Sequence, residues 1–176
     1  GYTAMAAGNH DFGYGWERLD ELSGAASFPV LAANIYQENG ERLLQPYIIE
    51  ELNGIRIGII GLTTPETEVK THPDNVKGLC FDDPIETARD LAEEIREKCD
   101  LLIALVHLPL DYSADSCARL AEEVEGIDLI VSGHSHVVLE EGYLVNDICI
   151  VQAGEHGHYL GLVELEIKNK EIAELK

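Results

Sequence analysis

The chain has 176 residues, with 12 Lys and Arg against 33 Asp and Glu, giving a formal net charge of −21. With 45% hydrophobic residues, 26% charged residues and 6 prolines, it carries the apolar content of an ordinary folded core and excludes a disordered, collagen-like or low-complexity chain. So acidic a surface repels phosphate backbones and anionic lipid, which excludes nucleic-acid or membrane binding through a basic patch, and no apolar run approaches the ~20 residues of a spanning helix.

Strand and helix signals alternate along most of the sequence, the pattern of an α/β domain. The apolar stretch 29–35 reads as a buried strand, followed by strands over 47–52 and 55–62. Asn53-Gly54 lies between the last two, and Asn-Gly flanked by apolar runs predicts an antiparallel hairpin. Asp83-Pro84-Ile85-Glu86 combines an N-cap Asp, Pro at the first helical position and Glu at the third. Ile85, Ala88, Ala92, Ile95 and Cys99 then follow at helical spacing, so a helix is predicted to about Lys98. A buried strand over 100–107 comes next, then a helix marked by Cys117, Leu120 and Val124 and ended by Gly126, then a short strand over 127–132. After His136 the pattern predicts strands alone, over 143–145, 148–152 and 159–168, with turns at Asn146-Asp147 and Asn169-Lys170. Helix-rich and hairpin-rich parts together predict two sheets packed face to face with helices outside.

Cys80, Cys99, Cys117 and Cys149 form no CxxC pair, which excludes a zinc knuckle and a thioredoxin-type motif. Cys99 and Cys149 sit at or in apolar runs and read as buried thiols. The sequence opens on Gly1 rather than Met and carries no signal-peptide pattern, so the expectation is a chain processed or cut from something longer.

The chemistry concentrates at strand ends. The run 127–132 breaks at Gly133 and presents His134 and His136 just past its C-terminal end, where sites in open α/β sheets collect. The strand over 100–107 ends on His107, and Ala6-Ala7-Gly8-Asn9-His10-Asp11 delivers Asn, His and Asp after an apolar stretch. Three strand ends bearing neutral nitrogen and oxygen donors suit a divalent transition metal, because imidazole and amide oxygen are ligands for Zn, Mn, Fe or Ni. His72, in Thr71-His72-Pro73-Asp74, reads as a turn residue. His156 and His158 flank Gly157 in a loop and read as solvent or outlying residues rather than ligands, and Asp111 as a partner orienting a ligand histidine or a surface carboxylate.

The motifs Gly8-Asn9-His10-Asp11 and Gly133-His134-Ser135-His136, with His107 between them, resemble the calcineurin-like metallophosphoesterases. The likeness is nearest to the catalytic domain of bacterial 5′-nucleotidases and the related UDP-sugar hydrolases and cyclic-nucleotide phosphodiesterases. It extends in order through Gly1-Tyr2-Thr3-Ala4-Met5, the strand over 28–35, Lys77-Gly78-Leu79 with Phe81 and Asp83-Pro84, Gly126-Ile127-Asp128-Leu129-Ile130, and Gln152-Ala153-Gly154 with Tyr159-Leu160-Gly161.

The resemblance implies an α/β fold, the four-layer αββα metallophosphoesterase sandwich, here missing its first strands, so that residues 1–176 form the C-terminal portion of that domain. It implies that Asn9, His107 and His134 bind one divalent ion (Mn, Zn, Co or Fe), that His136 binds a second, and that His10 contacts the phosphate. In the family both ions promote in-line attack of water on phosphorus. The family's remaining ligands lie on DxH and GD motifs upstream of GNH, which this sequence does not contain, so one ion or none is expected here. Where the family usually reads GNHEFD, this chain reads Gly8-Asn9-His10-Asp11-Phe12-Gly13, placing Gly where an Asp orients the catalytic His and leaving Asp11 beside it. The implied substrate is a nucleotide or other phosphate ester. Two readings follow: a metal-dependent phosphoric-ester hydrolase, incomplete or impaired as given, or a catalytically inactive relative serving as a binding module. Related enzymes are usually periplasmic, secreted or at the cell surface, and strands missing from a sheet predict self-association through unpaired edges.

Overall fold

The computed structural model describes residues 1–111, 113–168 and 170–175. In chain order the elements are β1 (Met5–Ala6), a 3₁₀ turn (Asn9–Tyr14), α1 (Trp16–Ala25), β2 (Val30–Leu31), β3 (Ile35–Gln37), β4 (Tyr47–Leu52), β5 (Ile55–Thr63), the one-turn α2 (Thr67–Lys70) and β6 (Leu79–Phe81). They continue with α3 (Pro84–Ile95), β7 (Leu101–His107), α4 (Cys117–Glu123), β8 (Leu129–Ser132), β9 (Tyr143–Val145), β10 (Ile148–Val151), β11 (Leu165–Lys168) and β12 (Glu171–Leu175).

The Asn53-Gly54 turn forms as expected: both residues have positive φ, 54° and 81°, the primed geometry that matches strand twist. β4 and β5 pair antiparallel from Tyr47↔Ile60 to Leu52↔Ile55. They open a six-stranded sheet of order β4-β5-β7-β8-β10-β9, with β5, β7, β8 and β10 parallel and both edges antiparallel. The parallel strands place their C-terminal ends level, since Thr63 pairs with His107 and Val106 with Ser132. Chemistry-bearing residues at three strand ends therefore meet along one sheet edge.

Asp83 caps α3 by accepting from the amides of Ile85 at 2.7 Å and Glu86 at 3.3 Å. The predicted helix ends at Ile95 and tightens into a 3₁₀ turn, Arg96–Lys98. Helices α3 and α4 bury Ile85, Ala88, Leu91, Ala92, Ile95, Leu120 and Ala121 against Ile60, Leu62, Leu102, Ala104, Val106 and Ile130 of the sheet. A second cluster, with Ala7, Phe12, Leu19, Val30, Ala32, Ile35, Leu43 and Phe81 at its centre, packs the segments around β1 and β2 together. The pair β1–β2 touches β5 and β7. Of the expected αββα layers, the described residues thus form the helix layer and the six-stranded sheet. On the sheet's other side lie the two-residue strands β1 and β2, with α1 in their cluster.

Two expectations shift. The predicted strand 29–35 divides into β2 and β3, because Asn34 turns inward. Its amide donates to the Thr63 carbonyl at 2.8 Å and accepts from the Thr63 amide at 3.0 Å, fastening this segment to β5. The predicted strand 159–168 forms only from Leu165 onward. Residues 159–164 pair with no strand among the described residues, and Leu160 and Leu162 are 95% and 80% exposed. The turn at Asn169-Lys170 falls partly on Asn169, which lies outside the described residues. Cys99, Cys117 and Cys149 are buried, Cys80 is exposed, and all four are free thiols. Among the described residues no helix is long and apolar enough to cross a membrane.

Candidate metal centre

The loop after β1 brings Asn9 to the sheet edge. Thr63 Oγ1 donates to the Ala7 carbonyl at 2.7 Å, and Asp11 Oδ2 accepts from the Gly8 amide at 2.7 Å, so both flanks of Gly8 are tied down. Gly8 is required sterically: a Cβ there would lie 2.8 Å from His107 Cε1. The missing side chain lets the His107 ring lie directly on the loop that carries Asn9.

Three atoms then converge. Asn9 Oδ1 lies 2.9 Å from His107 Nε2, and His134 Nδ1 lies 3.2 Å from the same nitrogen. The two imidazoles meet edge to face with centroids 5.0 Å apart. Burial, with His134 close by, holds the His107 pKa down at about 4, so its ring is neutral at pH 7. Burial also lowers His134, against the opposing pull of Glu66. Glu66 Oε2 sits 3.1 Å from His134 Nε2 and 2.6 Å from Lys70 Nζ. Lys70 foremost keeps that carboxyl below its ordinary range. The ionised carboxylate fixes the His134 proton on Nε2 and leaves the Nδ1 lone pair on the side of His107 Nε2.

The other residues singled out from sequence are arranged differently. His10 is exposed beside the cluster, near enough for its charge to bear on His107. Asp11 is spent on the Gly8 amide. His136 points its Nδ1 at Glu155 Oε2, 2.6 Å away, and His156 Nε2 lies 3.2 Å from that same oxygen. His156 and His158 stack edge to face at 5.9 Å, and His72 accepts from the Asp74 amide in its turn. Among the described residues no hydrogen bond joins Asp111 to His107; nearby it is Asp115 that is engaged, accepting from Thr64 Oγ1 at 2.9 Å and Ser113 Oγ at 2.7 Å.

Sequence reading passed over Glu66 and Glu155, and marked Gln152 as part of the Gln152-Ala153-Gly154 likeness, with no role at the site. A signal existed for Glu66, since Thr64-Pro65-Glu66 follows β5 just where His107 closes β7 and Gly133 follows β8. Glu155 and Gln152 stand on the loop after β10 and declare themselves only through their partners.

The family model for calcineurin-like phosphoesterases matches residues 2–138. The chain belongs to this family. A 5′-nucleotidase of Vibrio cholerae is 37% identical over 200 residues, covering 98% of the chain and 36% of that relative. The phosphoesterase fold is equally evident in solved structures. The calcineurin-like phosphoesterase YfkN of Bacillus subtilis superposes with a TM-score of 0.88 at 29% identity, over 99% of this chain and 62% of the other. The Thermus thermophilus sulfate thiohydrolase SoxB does so with a TM-score of 0.89 at 27% identity, over 100% of this chain and 32% of the other. This phosphoesterase chain therefore spans about a third of the length of the Vibrio relative.

The family implies divalent metal ions. The convergent donors fit one such ion: an amide oxygen and two neutral imidazoles, chemically suited to Zn or Mn, and spaced near the ~3.4 Å edge that ~2.1 Å metal–donor bonds give in a tetrahedron. Among the described residues no group of three or more His, Cys, Asp or Glu side chains is arranged to hold a metal. The three-donor set thus depends on the Asn9 amide.

Proposed function

We propose that this domain is the metal-binding part of a phosphoric-ester hydrolase acting on nucleotides, with Asn9, His107 and His134 holding one divalent cation. The observation that carries the reading is the approach of Asn9 Oδ1 and His134 Nδ1 to the single atom His107 Nε2, at 2.9 and 3.2 Å. The likeness to a nucleotidase of Vibrio cholerae supports the choice of substrate class. A divalent cation bound there would supply Lewis acidity toward a phosphoryl group.

The chain's own residues do the rest. His107 is kept neutral by burial, so its ring offers a lone pair at neutral pH. Glu66 holds the His134 proton at Nε2. His10, exposed at the rim, is assigned to the phosphoryl oxygens, to which an imidazole N–H donates. His136, its Nδ1 held by Glu155, keeps Nε2 for the substrate side or for a second cation supplied with further ligands.

The test is the metal content of the chain after loading with Mn or Zn and desalting, read by elemental analysis beside hydrolysis of nucleoside monophosphates and nitrophenyl phosphate. One ion per chain, lost in Asn9→Ala and His107→Ala, is expected. Absence of retained metal in the unsubstituted protein overturns the reading. A second reading, a binding module without catalysis, is favoured by Gly13 at the position where the resemblance puts the family's Asp. Retained metal and bound nucleotide without turnover would select it.

A further inference from the structure

The loop that carries His134 and His136 leaves β8 at Ser132 and returns alongside β10, where the Leu139 amide donates to the Gln152 carbonyl at 3.0 Å and the Gly154 amide to the Val137 carbonyl at 2.9 Å. Within it both histidines adopt left-handed backbone, with φ of 83° at His134 and 59° at His136. A non-glycine residue holds such a conformation at a cost and only where the surroundings enforce it. Two such residues in one short loop, both bearing imidazoles toward a site, require an explicit clamp.

The clamp is one side chain. Gln152 is 5% exposed and sits at the mouth of the loop, immediately after β10. Its Nε2 donates to Ser132 Oγ at 3.0 Å and to the Gly133 carbonyl at 3.3 Å, while its Oε1 accepts from the Val137 amide at 2.8 Å. One planar amide thus holds both ends of the loop, using its donor on the outgoing strand and its acceptor on the returning one. Ser132 Oγ is backed from the helix side by Cys117 Sγ at 3.1 Å. Burial pushes that thiol's pKa to about 11, so it stays a neutral partner. Ser135 anchors the loop's middle by accepting from the Leu110 amide at 2.8 Å.

We infer that Gln152 is a positioning residue of the centre: it fixes the separation of Gly133 from Val137 and thereby where His134 and His136 point. The inference rests on the reading that His134 is a ligand, and it asks for an amide specifically. A carboxylate would present an acceptor to the Gly133 carbonyl, and an apolar side chain would leave the half-buried Val137 amide without its acceptor and the Gly133 carbonyl with Ser132 Oγ, at 3.2 Å, as its remaining donor.

The test uses Gln152→Glu and Gln152→Met in the same chain, first without metal. Backbone amide exchange and imidazole nitrogen resonances are followed for residues 133–139, with the amides of β7 as an internal standard. In Gln152→Met, exchange at Val137 and Leu139 is expected to accelerate about tenfold and the His134 and His136 resonances to move, with β7 unchanged. Gln152→Glu, which keeps the acceptor for Val137, is expected to disturb Gly133 and His134 more than Val137. Zinc affinity, measured by calorimetry, is expected to fall 10- to 100-fold in both. Histidine resonances and zinc affinity at their unsubstituted values overturn the inference, as does a change at 133–139 matched equally by β7. Failure of the unsubstituted chain to bind zinc sinks the hydrolase reading but leaves the metal-free comparison to decide the role of Gln152.

Discussion

Glu66 and His134 stand 68 positions apart in sequence, and their side chains meet at 3.1 Å, Oε2 to Nε2. The contact selects the tautomer in which His134 Nδ1 carries the lone pair. Glu66→Gln keeps the shape and removes the charge, and is expected to weaken Mn or Zn binding 10- to 100-fold in calorimetric titration. Lys70→Ala, which removes only the half-exposed partner on the same oxygen, is expected to change stability by less than ~1 kcal/mol. Equal metal affinity in Glu66→Gln and the unsubstituted chain would remove Glu66 from the site.

Asn9 supplies the one oxygen among the three convergent atoms. Asn9→Asp restores an oxygen with charge and is expected to bind metal at least as tightly, whereas Asn9→Ala is expected to lose more than the 10- to 100-fold typical of an outer-shell partner. Elemental analysis of desalted protein separates the two variants. Comparable loss in both would mean that an oxygen at this position is not what holds the metal.

Gly61 marks where β5 meets the segment from β2. A Cβ there would overlap Leu31 Cβ and come within 2.9 Å of the Leu31 carbonyl oxygen. Backbone cannot retreat as a side-chain tip does, so Gly61→Ala is expected to destabilise by about 1–3 kcal/mol or more. Urea unfolding measures it, with a shifted midpoint at unchanged slope as the expected form.

Asp100, at the start of the β7 segment, accepts from the Arg56 amide at 2.9 Å and from its guanidinium at 3.0 and 3.3 Å, with Lys170 Nζ at 3.0 Å. Arg56 foremost holds its carboxyl well below the ordinary carboxylate range. A depressed native pKa contributes stability that is fully present above the unfolded value, near ~4, and is lost as pH falls through the native one. Asp100→Asn is therefore expected to lower the melting temperature at pH 7 and to converge with the unsubstituted chain as pH drops below about 4. A constant difference across that window would contradict the linkage.

What could be read in advance was whatever the chain writes locally. Asn53-Gly54 specified its hairpin and Asp83-Pro84 its helix start. Apolar strands ending on His107 and Gly133 showed where donors collect. Helix α1 was hard to read, because its large apolar residues are the thin row Trp16, Leu19 and Leu22, of which only Leu19 is buried, short of a broad apolar stripe. The alternation over 159–168 predicted a strand, but alternation states which face is apolar, not whether a neighbour exists to bond it. Glu66, Glu155 and Gln152 escaped for the same reason. Each is an ordinary polar residue on a loop until the sheet brings its partner within reach.

The two apolar clusters lie on either side of a seam, and the converging donors straddle it: Asn9 hangs from the smaller cluster through Ala7 and Phe12, His107 and His134 from the strands that bury Val106 and Ile130. A cation recruiting all three would act as a rivet between the two apolar halves. By mass action such binding would stabilise the folded domain by ~2.7 kcal/mol at a hundredfold excess over the dissociation constant. The smaller half, with two-residue strands and little sheet of its own, has the most to gain, so ion availability would govern how readily the layer bearing Asn9 peels away from the sheet.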